Sequence, residues 1–274
     1  MKLCRFQTSR FSADEVHRST HQIHPDIRNG IIEGSEVREI RGEFWDSYET
    51  AGPSWPLNSV KLLPPCTPSK VVCVGRNYAE HAKELANEVP KEPLLFFKPP
   101  SSVIGPDEPI VLPHLSQRVE YEGELAAVIG RRFRNLPANE DTSAYILGYT
   151  CLNDVTARDL QRKDGQFTRG KGFDTFCPFG PVIETSLDLA SATVETFLNG
   201  TRKQFGHTSE MIFSLDVIIR FIAQVMTLEP GDVIATGTPS GVGPLAAGDV
   251  VEVSVSGVGT LRNFVIGPDE DAAN

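Results

Sequence analysis

The sequence predicts an α+β fold, mainly β, with a small N-terminal β-rich region ahead of a larger domain. Three observations carry this. Short apolar runs bounded by Pro and Gly outnumber segments with helical spacing. Strands and helices do not alternate regularly, which argues against a TIM barrel or a doubly wound sheet. A proline-rich joint, Leu63-Pro64-Pro65-Cys66-Thr67-Pro68, separates a polar first stretch from a denser one. Proline has no N–H for a sheet ladder, so this joint reads as a linker and divides the chain into residues 1–65 and 66–274.

In the first part, Gly30-Ile31-Ile32-Glu33-Gly34 is a turn-bounded strand signal. After the joint, Val71-Val72-Cys73-Val74 reads as a buried strand, and residues 77–86 as a helix that Asn77 can cap. Residues 94–98 and 110–112 are short strands between prolines, and 119–129 is one longer strand closed by Gly130. Residues 144–153 read as strand and 155–163 as helix. Residues 178–184, 233–236 and 250–255 read as strands. Residues 211–226 place Ile212, Leu215, Ile218, Ile219 and Ile222 at helical spacing, which predicts an amphipathic helix.

The 274 residues are 40% hydrophobic and 23% charged, which excludes collagen-like, disordered and disulfide-scaffold classes. A net charge of −10 argues against nucleic acid, whose phosphates need a basic face. No stretch approaches the roughly 18 apolar residues of a membrane span. The start, Met1 to Phe6, lacks the apolar run of a signal peptide. The five cysteines are odd in number, scattered, and never paired as C-x-x-C. The expectation is a reduced, cytoplasmic chain.

The stretch Val119-Glu120-Tyr121-Glu122-Gly123-Glu124-Leu125 is the most informative. In a strand, alternate residues share a face, so Glu120, Glu122 and Glu124 form an acidic row. Such a row is either solvated or, because the strand runs on into Leu-Ala-Ala-Val-Ile, buried against a cation that is a metal or an arginine. Asp154, about thirty residues on, reads as a helix N-cap or as a third oxygen ligand. Arg158 and Gln161 share its helical face, and Asp159 can complete a capping box with Thr156. Lys171 sits between Gly170 and Gly172, either in a surface turn or where backbone or substrate comes close. His81 and Glu84 lie at i and i+3; a carboxylate there raises the basicity of the imidazole, although such a pair is as a rule a surface one. His17, His21 and His24 read as a solvated face.

Five motifs occur in the order seen in the fumarylacetoacetate hydrolase family, and the chain resembles that family over about residues 70–266. They are Val74-Gly75-Arg76-Asn77-Tyr78 with His81 and Glu84; Glu122-Gly123-Glu124-Leu125; Asn153-Asp154-Val155-Thr156-Ala157-Arg158-Asp159; Lys171-Gly172-Phe173-Asp174; and Thr236-Gly237-Thr238-Pro239 with Gly241 and Gly243. The first 65 residues resemble a small accessory domain found in part of the family. The resemblance implies a mixed β-roll or β-sandwich core and a homodimer. It implies Mg²⁺ (or Mn²⁺ or Ca²⁺) on Glu122, Glu124 and Asp154, which suits an all-carboxylate donor set. By the same match His81 and Glu84 form a water-activating dyad on a mobile lid, and Lys171 is a cationic catalytic residue. Arg158, Gln161 and Thr238, with Arg76, Tyr78 and Lys98, would contact substrate; Glu120 lies outside the pattern.

The implied substrate is a small 2-oxo or 2,4-dioxo acid, of acylpyruvate or fumarylpyruvate type, and the implied reaction is hydrolysis of a carbon–carbon bond through a metal-stabilised enolate. The same chemistry serves an isomerase, tautomerase or decarboxylase acting on an oxaloacetate- or 2-hydroxymuconate-type acid. A reading of another class is a non-catalytic, metal-dependent binder of small acids.

Overall fold

The computed structural model describes residues 1–8, 27–50 and 52–268; His17, His21 and His24 lie outside them. Five strands precede the joint: β1 (Lys2–Thr8), β2 (Ile27–Glu33), β3 (Glu36–Ile40), β4 (Ser54–Pro56) and β5 (Val60–Leu63). Then follow β6 (Val71–Gly75), α1 (Ala79–Glu84), β7 (Leu94–Lys98), β8 (Val103–Ile104), β9 (Pro109–Val111), β10 (Val119–Tyr121), β11 (Gly123–Ile129) and β12 (Ile146–Asn153). The next segments are β13 (Thr156–Ala157), α2 (Arg158–Asp164), α3 (Thr168–Lys171), β14 (Cys177–Glu184), β15 (Thr193–Leu198) and β16 (Thr201–His207). The chain closes with α4 (Leu215–Val225), β17 (Val233–Ala235), β18 (Gly243–Pro244), β19 (Val250–Val255) and β20 (Gly259–Ile266). The fold is mainly β, as the patterning predicts.

The strands form three sheets. The largest has twelve strands on the path β4-β3-β2-β1-β14-β12-β11-β17-β6-β7, with β5 on β1 and β8 on β14. A five-stranded sheet runs β16-β15-β19-β20-β9, and a three-stranded one β13-β10-β18. The N-terminal strands join the large sheet through β1, where Leu3 pairs with Ile183 of β14. Leu3 and Ile31 accordingly share one apolar cluster with Val71, Ala126 and Val233. On the opposite face, Ile218, Ile219 and Ile222 of α4 cover Val72, Val74, Ala127 and Ile234. Burial on both faces explains why β6 and β11 read as continuous apolar runs rather than alternating ones.

Several elements differ from the sequence expectation. The 119–129 strand is two strands in different sheets, broken at Glu122. Side chains hold the break open: Asn153 Oδ1 accepts from Glu122 N at 3.0 Å, and Gln204 Oε1 accepts from Gly123 N at 2.9 Å. These satisfy backbone donors that a ladder would otherwise take. The 77–86 helix shrinks to α1, because Asn77 bridges segments instead of capping. Its Nδ2 donates to Phe213 O and Thr236 O, and its Oδ1 accepts from Phe213 N. The 155–163 helix starts only at Arg158, after β13. The 144–153 strand starts at Ile146, after a 3₁₀ turn. The 211–226 helix starts at Leu215, capped by Ser214, whose hydroxyl accepts from Val217 N. Among the described residues no helix is long and apolar enough to cross a membrane.

Candidate functional site

The register of β11 against β12 assembles the acidic residues. Gly123 pairs with Asn153, so Glu122 and Glu124 flank the pair and Asp154 follows it on the other strand. Asp154 N donates to Glu122 O at 2.8 Å, which locks the two segments together where they leave the sheet. The three carboxylates bring one oxygen each to within 4.8 Å of one another. None of the three residues is more than 4% exposed. Gly123 is required here, since a Cβ would come within 2.0 Å of Thr196 Oγ1.

Buried cations answer this charge. Lys171 Nζ donates to Asp154 Oδ2 at 2.5 Å and to Glu122 Oε2 at 2.7 Å. Lys98 Nζ, at the end of β7, donates to Asp154 Oδ1 at 2.7 Å and to Val155 O at 3.0 Å. Arg158 reaches Glu122 Oε1 through Nη2, Glu120 Oε2 through Nε at 2.6 Å, and Gln161 Oε1 through Nη1 at 2.6 Å. Glu120 therefore pairs with arginine, and Asp154 is ion-paired rather than an N-cap. Asp159 forms no capping box with Thr156; it accepts from Ser116 Oγ at 2.6 Å and Gln117 N at 2.9 Å. The sequence Gly170-Lys171 ends α3 instead of lying in a surface turn. A Cβ on Gly170 would sit 2.9 Å from Gln161 Cβ, so the glycine lets α3 press against α2 and carries Lys171 inward.

The triad's electrostatics are uneven. Burial pushes the Glu122 carboxyl up, but Lys171 and Arg158 outweigh it and hold the group well below the usual carboxylate range. Glu124 has no ion-pair partner among the described residues and accepts only the Gly237 N–H, at 2.7 Å. Burial, then Asp154 and Glu122, push its carboxyl well above the usual range. Burial alone would lower the Lys171 ammonium, yet Asp154 and Glu122 raise it, so it stays charged.

The carboxylates form one end of a cavity of about 290 Å³. Arg76, His81, Arg158, Gln161, Lys171 and Thr238 line it with them. Glu84 stands behind His81, with Oε2 3.3 Å from Nδ1, and also accepts from Gly241 N at 3.0 Å. Thr238 is engaged on both sides, donating to Gly123 O at 2.7 Å and accepting from Gln204 Nε2 at 2.8 Å. Lys98 lies beneath Asp154, outside the lining. Tyr78 is also outside it, packed near Gly206, and its buried hydroxyl has no hydrogen-bond partner among the described residues. Sequence reasoning missed Phe96, Phe167 and Arg162. The two rings meet edge to face at 5.3 Å, with Lys171 Nζ 5.0 Å from the Phe96 centroid. No spacing links Phe96 to Phe167, but Arg162 follows Arg158 by one helical turn and was legible on that ground.

The family profile Fumarylacetoacetate (FAA) hydrolase C-terminal matches residues 70–266, most of the chain. The chain belongs to the fumarylacetoacetate hydrolase family. A second profile, Rv2993c-like, N-terminal, matches residues 21–65. Human mitochondrial oxaloacetate tautomerase is 43% identical over 76% of this chain and 72% of its own. A solved 5-carboxymethyl-2-hydroxymuconate delta-isomerase from Mycobacterium smegmatis is 42% identical, with a TM-score of 0.86 over 97% of this chain and 100% of its own. A solved maleylpyruvate hydrolase from Sphingobium is 29% identical, with a TM-score of 0.76 over 97% of this chain and 100% of its own. The fumarylacetoacetate hydrolase family thus holds tautomerases, isomerases and hydrolases on one fold, and the fold alone does not choose among them.

Proposed function

We propose that this protein is a divalent-metal-dependent enzyme that moves a proton within a small 2-oxo acid, as a keto–enol tautomerase or isomerase. The observation that carries the reading is the buried Glu122–Glu124–Asp154 cluster opening on the same cavity as His81. An all-oxygen donor set suits a hard cation such as Mg²⁺, Mn²⁺ or Ca²⁺. The cluster also fits one because Glu124 is buried without an ion-pair partner among the described residues, so its ionised form is costly unless positive charge is supplied. A bound cation would supply Lewis acidity to the carboxylate and 2-oxo oxygens of the substrate.

The chain's own residues do the remaining work. Glu84 engages His81 Nδ1, which orients the ring and leaves Nε2 as the nitrogen free to take a proton from the substrate carbon and return one. Lys171 holds positive charge beside the carboxylates and opposes charge that develops on the reacting oxygen. Phe96 places its ring against Lys171, and Phe167 packs edge to face on Phe96, so apolar surface limits water near the reacting atoms. Arg158 fixes Glu122 and is a positioning residue in this account.

Carbon–carbon hydrolysis is the second reading. The His81–Glu84 dyad favours it, because the same base can take a proton from water. Relatives named tautomerase and isomerase, at 43% and 42% identity, support proton transfer as the first reading, and relatives named fumarylacetoacetate hydrolase and maleylpyruvate hydrolase, at 38% and 29%, keep hydrolysis as the second. The test is enol-to-keto conversion of oxaloacetate beside hydrolysis of acylpyruvates, with and without EDTA. The proposal expects EDTA-sensitive tautomerisation that His81→Ala abolishes while metal binding remains. Turnover of acylpyruvates alone would establish the hydrolase, and metal binding with no turnover would leave a small-acid binder. Association as a homodimer is part of the proposal and is read by light scattering.

A further inference from the structure

Two guanidinium groups line the cavity without any hydrogen-bond or ion-pair partner among the described residues: Arg76 and Arg162. Arg158, by contrast, is 2% exposed and spends Nε, Nη1 and Nη2 on Glu120, Gln161 and Glu122. Arg162 lies four residues beyond Arg158 on α2, one turn or about 6 Å along the axis, away from the carboxylates that Arg158 holds. Arg76 follows β6 directly and enters the cavity from a different element. Its φ is 59°, a left-handed backbone that side chains other than glycine, Asn and Asp seldom adopt. A long cationic side chain at a position that favours glycine is the kind of strain that accumulates where a side chain is needed for function.

We propose that Arg162, assisted by Arg76, binds a carboxylate at the far end of the substrate, so that the site selects 2-oxo diacids over 2-oxo acids with a neutral end. The inference rests on the 2-oxo acid reading above and adds to it the second charged group and the residues that read it. With one end of the acid at the triad, its far end points along α2 toward Arg162, one helical turn beyond Arg158 in the same cavity. The planar guanidinium fork matches a carboxylate in a way an ammonium does not. Arg162 is solvent-exposed, so its contribution is screened by salt and is felt chiefly as binding and not as turnover.

The test compares oxaloacetate with its 4-methyl monoester, which keeps the 2-oxo acid and neutralises the far end. Wild type, Arg162→Gln, Arg162→Lys and Arg76→Gly are assayed for keto–enol conversion, with melting curves as a check on folding. The proposal expects wild type to prefer the diacid in kcat/KM. It expects Arg162→Gln to raise KM for the diacid about twofold to fivefold, the usual effect of losing an exposed, salt-screened ion pair, with little change in kcat. Arg162→Lys restores part of that loss, and higher salt narrows the wild-type preference. Arg76→Gly relieves the left-handed strain, so its Tm is unchanged or higher while its KM for the diacid rises. An undiminished diacid preference in Arg162→Gln, or equal use of both compounds by wild type, overturns this assignment and leaves the tautomerase reading standing. Failure of wild type to convert either compound overturns the tautomerase reading and this one with it.

Discussion

Lys171 places one ammonium between two buried carboxylates, 2.7 Å from Glu122 and 2.5 Å from Asp154. Removing one partner of a buried ion pair strands the other, at about 3–5 kcal/mol. Lys171→Ala is therefore expected to lower the Tm of the metal-free protein sharply, and added Mg²⁺ is expected to raise its Tm by more than it raises that of wild type. Equal Mg²⁺ shifts in the two proteins would show that the ammonium does not neutralise the triad. Gly123 gives a second residue-level outcome. Gly123→Ala drives a Cβ toward Thr196 Oγ1, a buried hydroxyl with no hydrogen-bond partner among the described residues, and overpacking of this kind destabilises by about 1–3 kcal/mol. Adding Thr196→Ala should recover part of the loss in urea unfolding; additive losses would place the conflict elsewhere. The acidic residues were legible because like charges beside an apolar run demand a counter-charge. Arg158 holding Glu122 was not legible, because local spacing does not show which carboxylate a buried arginine will meet.

At the scale of the element, the site depends on interruptions of regular structure. The break at Glu122 turns a continuous strand pattern into β10 and β11, and the partners that hold it, Asn153 and Gln204, lie 31 and 81 residues away. Periodicity is local, so it identified the strand and missed the break. Asn77 shows the same limit. Beside a helical pattern it reads as a cap, yet it is fully buried and ties the β6–α1 segment to residues 213 and 236. With three hydrogen bonds from one buried side chain at about 1 kcal/mol each, Asn77→Ala should lose roughly 3 kcal/mol in urea unfolding. It should also lose more activity than an exposed substitution on α1 such as Lys83→Ala, because the segment carries His81. A loss under about 0.5 kcal/mol, the range of surface changes, would contradict the bridging role.

Across the whole molecule, the mainly β architecture was legible from strand signals and breakers. The continuity of the large sheet through β1 and β14 was not, because pairing between residues 2–3 and 183–184 leaves no local trace. The same burial sets a pH limit. The thiols of Cys4, Cys66, Cys151 and Cys177 are pushed from 9.0 to about 12 by burial. Unfolded thiols ionise above pH 9 while these stay protonated. The unfolded state then binds fewer protons, and stability falls between about pH 9 and 12 by up to about 1.4 kcal/mol per pH unit for each thiol. Urea unfolding at pH 8 and 10.5 reads this directly; equal stability at both, or rapid alkylation of the native protein at pH 8.5, would contradict it.

The central claim is that Glu122, Glu124 and Asp154 hold a divalent cation on which a 2-oxo acid is processed. Anomalous diffraction from crystals soaked in Mn²⁺ and oxalate tests it most directly. The account predicts one strong peak among the three carboxylates with oxalate beside it; carboxylates still bridged by Lys171, with no peak between them, would contradict it.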